Sequence, residues 1–166
     1  MAAAGRGRWL PFTLAIVAAD RATKYAIERF TPQGFRREMI PHFADLVHSQ
    51  NPGIAFGFFS ESAPRWFVFL LMVSSAAVVL LLAWLLVTGR AGGAPSQMGF
   101  ALIAGGAAGN LLDRLLHGGV TDFLELHAGR FVWPAFNLAD SAITVGALLV
   151  VWELLRDGRH SSREHV

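Results

Sequence analysis

The sequence predicts an all-α membrane protein: a four-transmembrane-helix bundle with a small β-cradle between its first two helices. Three observations lead there. The 166 residues are 54% hydrophobic and only 16% charged, with a mean hydropathy of +0.45, a membrane protein's composition rather than a soluble domain's. Four apolar stretches, roughly residues 9–27, 66–88, 98–116 and 137–155, are long enough to span a bilayer at about 20 residues per crossing. The five tryptophans, Trp9, Trp66, Trp84, Trp133 and Trp152, fall near the ends of those stretches, where amphipathic rings prefer to sit. The whole chain, residues 1–166, reads as one integral membrane domain.

The first stretch is interrupted by Asp20, Arg21 and Lys24. A secretory signal peptide competes for it, with Arg6 and Arg8 as the basic region and Val17-Ala18-Ala19 as a cleavage site. Apolar residues continue past that point at Tyr25, Ala26, Ile27 and Phe30, which favours an uncleaved helix. Asp20 and Lys24 stand at i, i+4 with the acid first, the favourable order for an ion pair. Mutual neutralisation in lipid and support of a functional site are both open for them.

Residues 31–64 form a polar stretch too long for a simple turn. Within it Ile54, Phe56 and Phe58 alternate with Ala55 and Gly57, a strand pattern. A β-element cradling an extended substrate and an irregular loop capping the bundle are equally compatible with that pattern. The second helix, with its unbroken apolar runs, is unambiguous, and Ala91-Gly92-Gly93-Ala94-Pro95-Ser96 turns the chain into the third. On the third helix Asn110, Asp113, Arg114 and His117 share one face near its exit end. For Asp113 and His117 a packing network is the preferred reading. Upstream, Gly105-Gly106-Ala107-Ala108-Gly109 permits close helix approach. Asn137, with an acid three residues on, suits the start of the fourth helix.

Asp122 follows the third helix and Asp140 lies just inside the fourth. A segment that leaves the bilayer and the next one that enters it meet on one side, so both carboxylates belong to one membrane face. Ionisable groups there are costly and usually functional, and paired carboxylates sharing a proton are the machinery of aspartic proteolysis. Taken singly, Asp122 reads as a loop aspartate and Asp140 as a cap; it is their joint position that points to chemistry. The net charge of +2, without a long Lys/Arg run, gives no footprint for nucleic acid. The absence of cysteine excludes a thiol nucleophile, a cysteine-ligated metal and any disulfide. No His/Asp/Glu cluster has convincing ligand spacing, so neither metal nor cofactor is expected. The overall Lys/Arg count sets no orientation, but Arg90, Arg156, Arg159 and Arg163 hug helix ends and favour cytoplasmic termini. Two other classes compete. A cation or proton transporter would use Asp113, Asp122 and Asp140, yet the second helix lacks acids along its depth. A lipid-head-group transferase would carry its acids on contiguous helix turns, yet Gly118-Gly119 separates Asp113 from Asp122.

Four blocks in order carry a family resemblance. They are Asp20-Arg21-Ala22-Thr23-Lys24; Asn51-Pro52-Gly53-Ile54-Ala55-Phe56-Gly57; Gly105 to Arg114 leading into Val120-Thr121-Asp122-Phe123; and Phe136-Asn137-Leu138-Ala139-Asp140-Ser141. Together with four spans they resemble signal peptidase II, the prolipoprotein signal peptidases of bacterial inner membranes. The resemblance implies an aspartic endopeptidase that removes the signal peptide from diacylglyceryl-modified prolipoproteins, cleaving just before the lipid-modified cysteine. It implies Asp122 and Asp140 as the catalytic pair, with Asp20, Lys24, Asn51, Gly53, Asn110, Arg114, Asn137 and Ala139 binding substrate or supporting the site. It further implies cytoplasmic termini, an extracytoplasmic cradle and a site at the outer-leaflet face. The expected partners are the prolipoprotein and membrane lipid, and the expected state is a monomer. Two departures stand out: Arg21 occupies a position where the family often has Gln, and Pro52 stiffens the second block.

Overall fold

The computed structural model describes residues 9–52 and 64–161, with side chains described as far as Arg156 within the last helix. Gly53 and the strand expected over residues 54–58 lie outside these residues, as do Arg6, Arg8 and Arg163. Four helices and four strands follow in the order α1 (Leu10–Phe30), β1 (Arg36–Ile40), β2 (Ala44–Asn51), α2 (Arg65–Thr88), α3 (Ala94–His117), β3 (Val120–Ala128), β4 (Phe131–Phe136) and α4 (Leu138–Ser161).

The expectation of an all-α chain is corrected. The strands form one antiparallel sheet in the order β1-β2-β3-β4, half of it from between α1 and α2 and half from between α3 and α4. The second half escapes pattern reading for a physical reason. Proline is confined to edges and bulges of sheets, and β4 is an edge strand whose register slips where Pro134 sits, between the pairs Leu126↔Trp133 and Leu124↔Phe136. The β3–β4 hairpin closes over Gly129 and Arg130, with Gly129 at φ 62, as the first position of a type II′ turn requires.

α3 is the central helix, packed on α1, α2 and α4. Its stripe of small residues lets the neighbours close in: a Cβ on Gly106 would collide with the carbonyl of Ala139 on α4. One on Gly109 would lie 2.5 Å from the Asp20 carboxylate on α1. Such contact is the basis of helix association where lipid removes any hydrophobic drive. Gly118, at φ 75, ends α3 and releases the chain into β3. Asp113 and Asp122 therefore lie on a helix and a strand, not on successive helical turns.

The distribution of polarity is inverted relative to a soluble protein. The largest side chains below 2% exposure are Lys24, Asn137, Asp20 and Asp113, whereas Leu14, Phe69, Leu80, Leu81, Leu148 and Leu154 are each more than half exposed. Exposure of so many large apolar side chains is what contact with a membrane or partner would cover. Four helices were expected to be long and apolar enough to cross a membrane; among the described residues two are, α2 and the Leu138–Arg156 part of α4. α1 carries Asp20, Arg21, Lys24, Glu28 and Arg29, and α3 carries Asn110, Asp113 and Arg114, which lower their hydropathy.

Candidate active site

Asp122 and Asp140 reach the same cavity from different elements. Asp122 is the third residue of β3 and Asp140 lies in the first turn of α4. Both line a cavity of about 630 Å³ together with Asn51, Asn110 and Arg114. The rest of its wall is largely apolar: Val120, Leu126, Trp133, Pro134, Phe136, Ile143 and Val145 from the sheet and α4. A polar end set against an apolar wall is the usual anatomy of a ligand site.

Asn137 joins the two acids. Its side-chain oxygen accepts the backbone N–H of Asp140 at 3.0 Å, the N-cap bond expected from sequence. Its amide nitrogen donates to Asp122 Oδ1 at 2.7 Å and lies 3.3 Å from Asn110 Oδ1. Asn110 in turn donates to Asp140 Oδ1 at 2.8 Å, and Asn51 donates to Asp122 Oδ2 at 3.3 Å. Each acid is thus aimed by an asparagine, a residue that donates without adding charge. Burial pushes the Asp122 carboxyl up to about 7, with the nearby charge of Asp140 adding to the effect and the bonds from Asn137 and Asn51 opposing it.

Behind the asparagines stands a charged layer. Lys24 Nζ donates to Asn110 Oδ1 at 2.9 Å and stands in ion pairs 2.8 Å from Asp20 Oδ2 and 3.2 Å from Asp113 Oδ2. Two carboxylates and an amide oxygen thus surround the buried ammonium and offset its desolvation. Asp20 Oδ1 accepts the N–H of Ala139 at 2.9 Å, so an acid from α1 satisfies the first turn of α4 across 119 residues of sequence. Asp113 serves this layer as sequence suggested: it binds Lys24, Arg21 and the backbone of Thr121, and is absent from the cavity wall. His117 Nδ1 stands 3.7 Å from Asp113, one-third exposed.

Of the ten residues singled out beforehand, Asp20, Lys24, Asn51, Asn110, Arg114, Asp122, Asn137, Ala139 and Asp140 come together in this assembly, and Gly53 lies outside the described residues. Sequence reasoning missed Thr121 and Glu28, whose side chains bond at 2.9 Å. The signal available was weak: an acid one turn beyond Lys24 and a hydroxyl beside Asp122. It also missed two groups whose ligand atoms lie within 4.8 Å of one another: Glu28, Asp113 and His117, and Asp45, Glu125 and His127. In both a guanidinium already bridges the acids, Arg21 between Glu28 and Asp113 and Arg36 between Asp45 and Glu125.

Fold and site together define a membrane enzyme, with two acids, Asp122 buried and Asp140 half-buried, on an apolar-walled cavity. The comparisons agree and go further. Two solved structures of a bacterial membrane enzyme superpose with TM-scores of 0.79 and 0.76, each at 30% identity, covering 92% and 91% of this chain and 90% and 94% of theirs. The family described as Signal peptidase (SPase) II matches residues 12–156. The lipoprotein signal peptidase of Solibacter usitatus (strain Ellin6076) is 41% identical, over 93% of this chain and 96% of its own. That of Azoarcus sp. (strain BH72) is 44% identical, over 92% and 85%. The chain belongs to the signal peptidase II family.

Proposed function

We propose that the protein is an aspartic endopeptidase that removes the signal peptide from prolipoproteins, cleaving just before a diacylglyceryl-modified cysteine. The observation that carries this is the convergence of Asp122 and Asp140 on one cavity whose remaining wall is apolar. Two carboxylates in such a site do not both ionise cheaply, so the pair holds one proton between them. The ionised partner takes a proton from water, whose oxygen attacks the scissile carbonyl carbon. The protonated partner donates to the carbonyl oxygen. Collapse of the tetrahedral intermediate breaks the C–N bond as a carboxyl proton passes to the departing amine. The raised Asp122 suits the acid role in that cycle. Asn51, Asn110 and Asn137 hold the carboxylates, and Arg114 at the cavity wall is suited to the substrate's backbone or the developing oxyanion.

All four helices cross the bacterial inner membrane in this reading, with both termini cytoplasmic and the sheet and acid pair at the outer leaflet. The pairing of β2 with β3 supports a common side for the α1–α2 and α3–α4 connections. Arg90 over the Trp84 ring and Arg156 over the Trp152 ring, at 5.1 and 5.6 Å, are the pairing expected of an interfacial belt at the opposite side. The acyl chains remain in lipid while the peptide is held at the interface by a single copy of the enzyme, without a metal or cofactor.

The test is a gel-shift assay with purified protein in detergent and a diacylglyceryl-modified prolipoprotein, with chelator throughout. Cleavage by the parent and none by Asp122→Asn or Asp140→Asn is expected, with all three equally folded. Normal turnover by either variant would sink the acid pair, and loss of parental activity only with chelator would implicate a metal.

A further inference from the structure

We propose that Thr121 is a positioning residue for Asp122, and that Glu28 and Arg21 act on the site through it. The inference rests on the proposed role of Asp122 in cleavage. Successive residues of a strand face opposite ways. Asp122 faces the cavity, and Thr121 faces the helices, where it is 2% exposed.

Every polar group of Thr121 is engaged. Its N–H donates to Asp113 Oδ2 at 2.9 Å, its hydroxyl donates to Glu28 Oε1 at 2.9 Å, and its carbonyl oxygen lies 3.4 Å from Asn137 Nδ2. The partners belong to α3, to α1 and to the residue that caps α4. One residue before Asp122, three helices therefore fix the strand. Glu28 is itself held rigidly: Arg21 binds both of its oxygens and reaches Asp113 Oδ1 at 2.9 Å. An ion-paired carboxylate gives the hydroxyl a charged, fixed acceptor, which makes a stronger and more directional bond than a neutral one.

Arg21, Glu28, Asp113 and Thr121 are all absent from the cavity wall, so this group touches no substrate there. Its shortest route to the chemistry is the location of the Asp122 backbone, one residue on from Thr121. That location matters because Asp122 is aimed within hydrogen-bonding distance of Asn137, and a displacement of about 1 Å at a reacting group costs up to two orders of magnitude in rate. Arg21 also gives its departure from the family pattern a use: it pairs with Glu28, and Glu28 pairs with the hydroxyl beside the catalytic position.

Titration of Asp122 is the reporter that separates positioning from simple stabilisation. The charged groups around it are Asp140 on α4, Arg114 on α3 and Lys24 on α1, and Thr121→Val removes no charge, whereas Glu28→Gln removes a carboxylate bonded to the neighbouring residue. A shift in the pH profile of Thr121→Val then reports movement of Asp122 itself. Loosening β3 hydrates Asp122 and relaxes its approach to Asp140, which lowers the midpoint of the alkaline limb.

The experiment compares kcat, KM and melting temperature of the parent, Thr121→Val, Thr121→Ser and Glu28→Gln, from about pH 5 to about 9, with Asp122→Asn as control. Thr121→Val and Glu28→Gln are expected to lose about tenfold in kcat with KM within about twofold, the scale of one lost charge-assisted bond felt only through orientation. Their alkaline midpoint moves to lower pH, and Thr121→Ser, which keeps the hydroxyl, restores both parameters. Parental kcat and midpoint in Thr121→Val would overturn the proposal, as would a lowered melting temperature with an unmoved midpoint. If Thr121→Val does not fold, Thr121→Ala, which also removes the hydroxyl without changing charge, decides by the same two criteria. An active Asp122→Asn would instead remove the reading of Asp122 on which the proposal stands, a result distinct from an unaffected Thr121→Val beside an inactive Asp122→Asn.

Discussion

At Asp122 four kinds of neighbour compete: low-polarity surroundings, a second carboxylate, two asparagine amides and the Lys24 ammonium. The first two win, and the sign of the consequence follows. Folded Asp122 keeps its proton up to about 7, whereas the unfolded chain releases it near 3.8. Between those values the unfolded state binds fewer protons, so this group's contribution to stability is fully present below 3.8 and declines as pH rises toward 7. We expect kcat/KM to fall on the alkaline side with a midpoint near 7, read from initial rates across pH. Melting temperatures of Asp122→Asn should show a weaker decline over the same range; an equal slope in parent and variant would refute the assignment. At this scale sequence was informative about charge and poor about partners. Asp122, Asp140 and Asn137 were legible because polar groups at the ends of apolar segments are few and costly. The Thr121–Glu28 bond was not, since it joins positions 93 apart and neither residue is unusual where it stands.

Among the elements, α3 governs the packing because it alone touches the other three helices extensively. Gly106 is among its tightest points: a Cβ there would lie 2.3 Å from the carbonyl oxygen of Ala139, one residue before Asp140. Gly106→Ala therefore has two effects: it pushes α4 outward, and it moves an acid of the site. We expect a destabilisation of about 1–3 kcal/mol, as for other overpacked positions, together with reduced activity. Thermal melts and turnover measured on the same preparation check this, and an unchanged melting temperature would mean that the helices adjust freely. The helices were legible from apolar length, and the turn at residues 91–96 from its glycines and proline. A β-element between α1 and α2 was expected, and β1 and β2 lie in that connection, although the strand read at residues 54–58 falls outside the described residues. The α3–α4 half was not expected, because β3 and β4 mix polar and apolar residues and slip register where they pair. Such strands exist through their neighbours, and their own alternation is too weak to declare them.

Among the described residues of the whole molecule, many large apolar side chains are exposed while Asp20, Lys24, Asp113 and Asp122 are buried. Stability in such a chain comes from close backbone contact and from satisfied polar groups, with lipid covering the apolar exterior. A charge on that exterior should then be costly. Leu80, 70% exposed on α2, is expected to tolerate Ser but not Arg, which adds about 2–3 kcal/mol to membrane insertion. An insertion assay on both variants measures it, and equal insertion would argue that this face does not meet lipid.

The pairing of β2 with β3 has a consequence for biosynthesis. Strands on either side of α2 and α3 zip into one sheet, so the two helices must return the growing chain to the end from which it departed. A nascent protein with one helix inverted would strand half the sheet on the wrong side, with bare edge N–H and C=O groups and Lys24 lacking Asn110 and Asp113 as partners. The sheet thus ties the α1–α2 and α3–α4 connections to one end of the α2–α3 pair, and a chain threaded otherwise cannot close it.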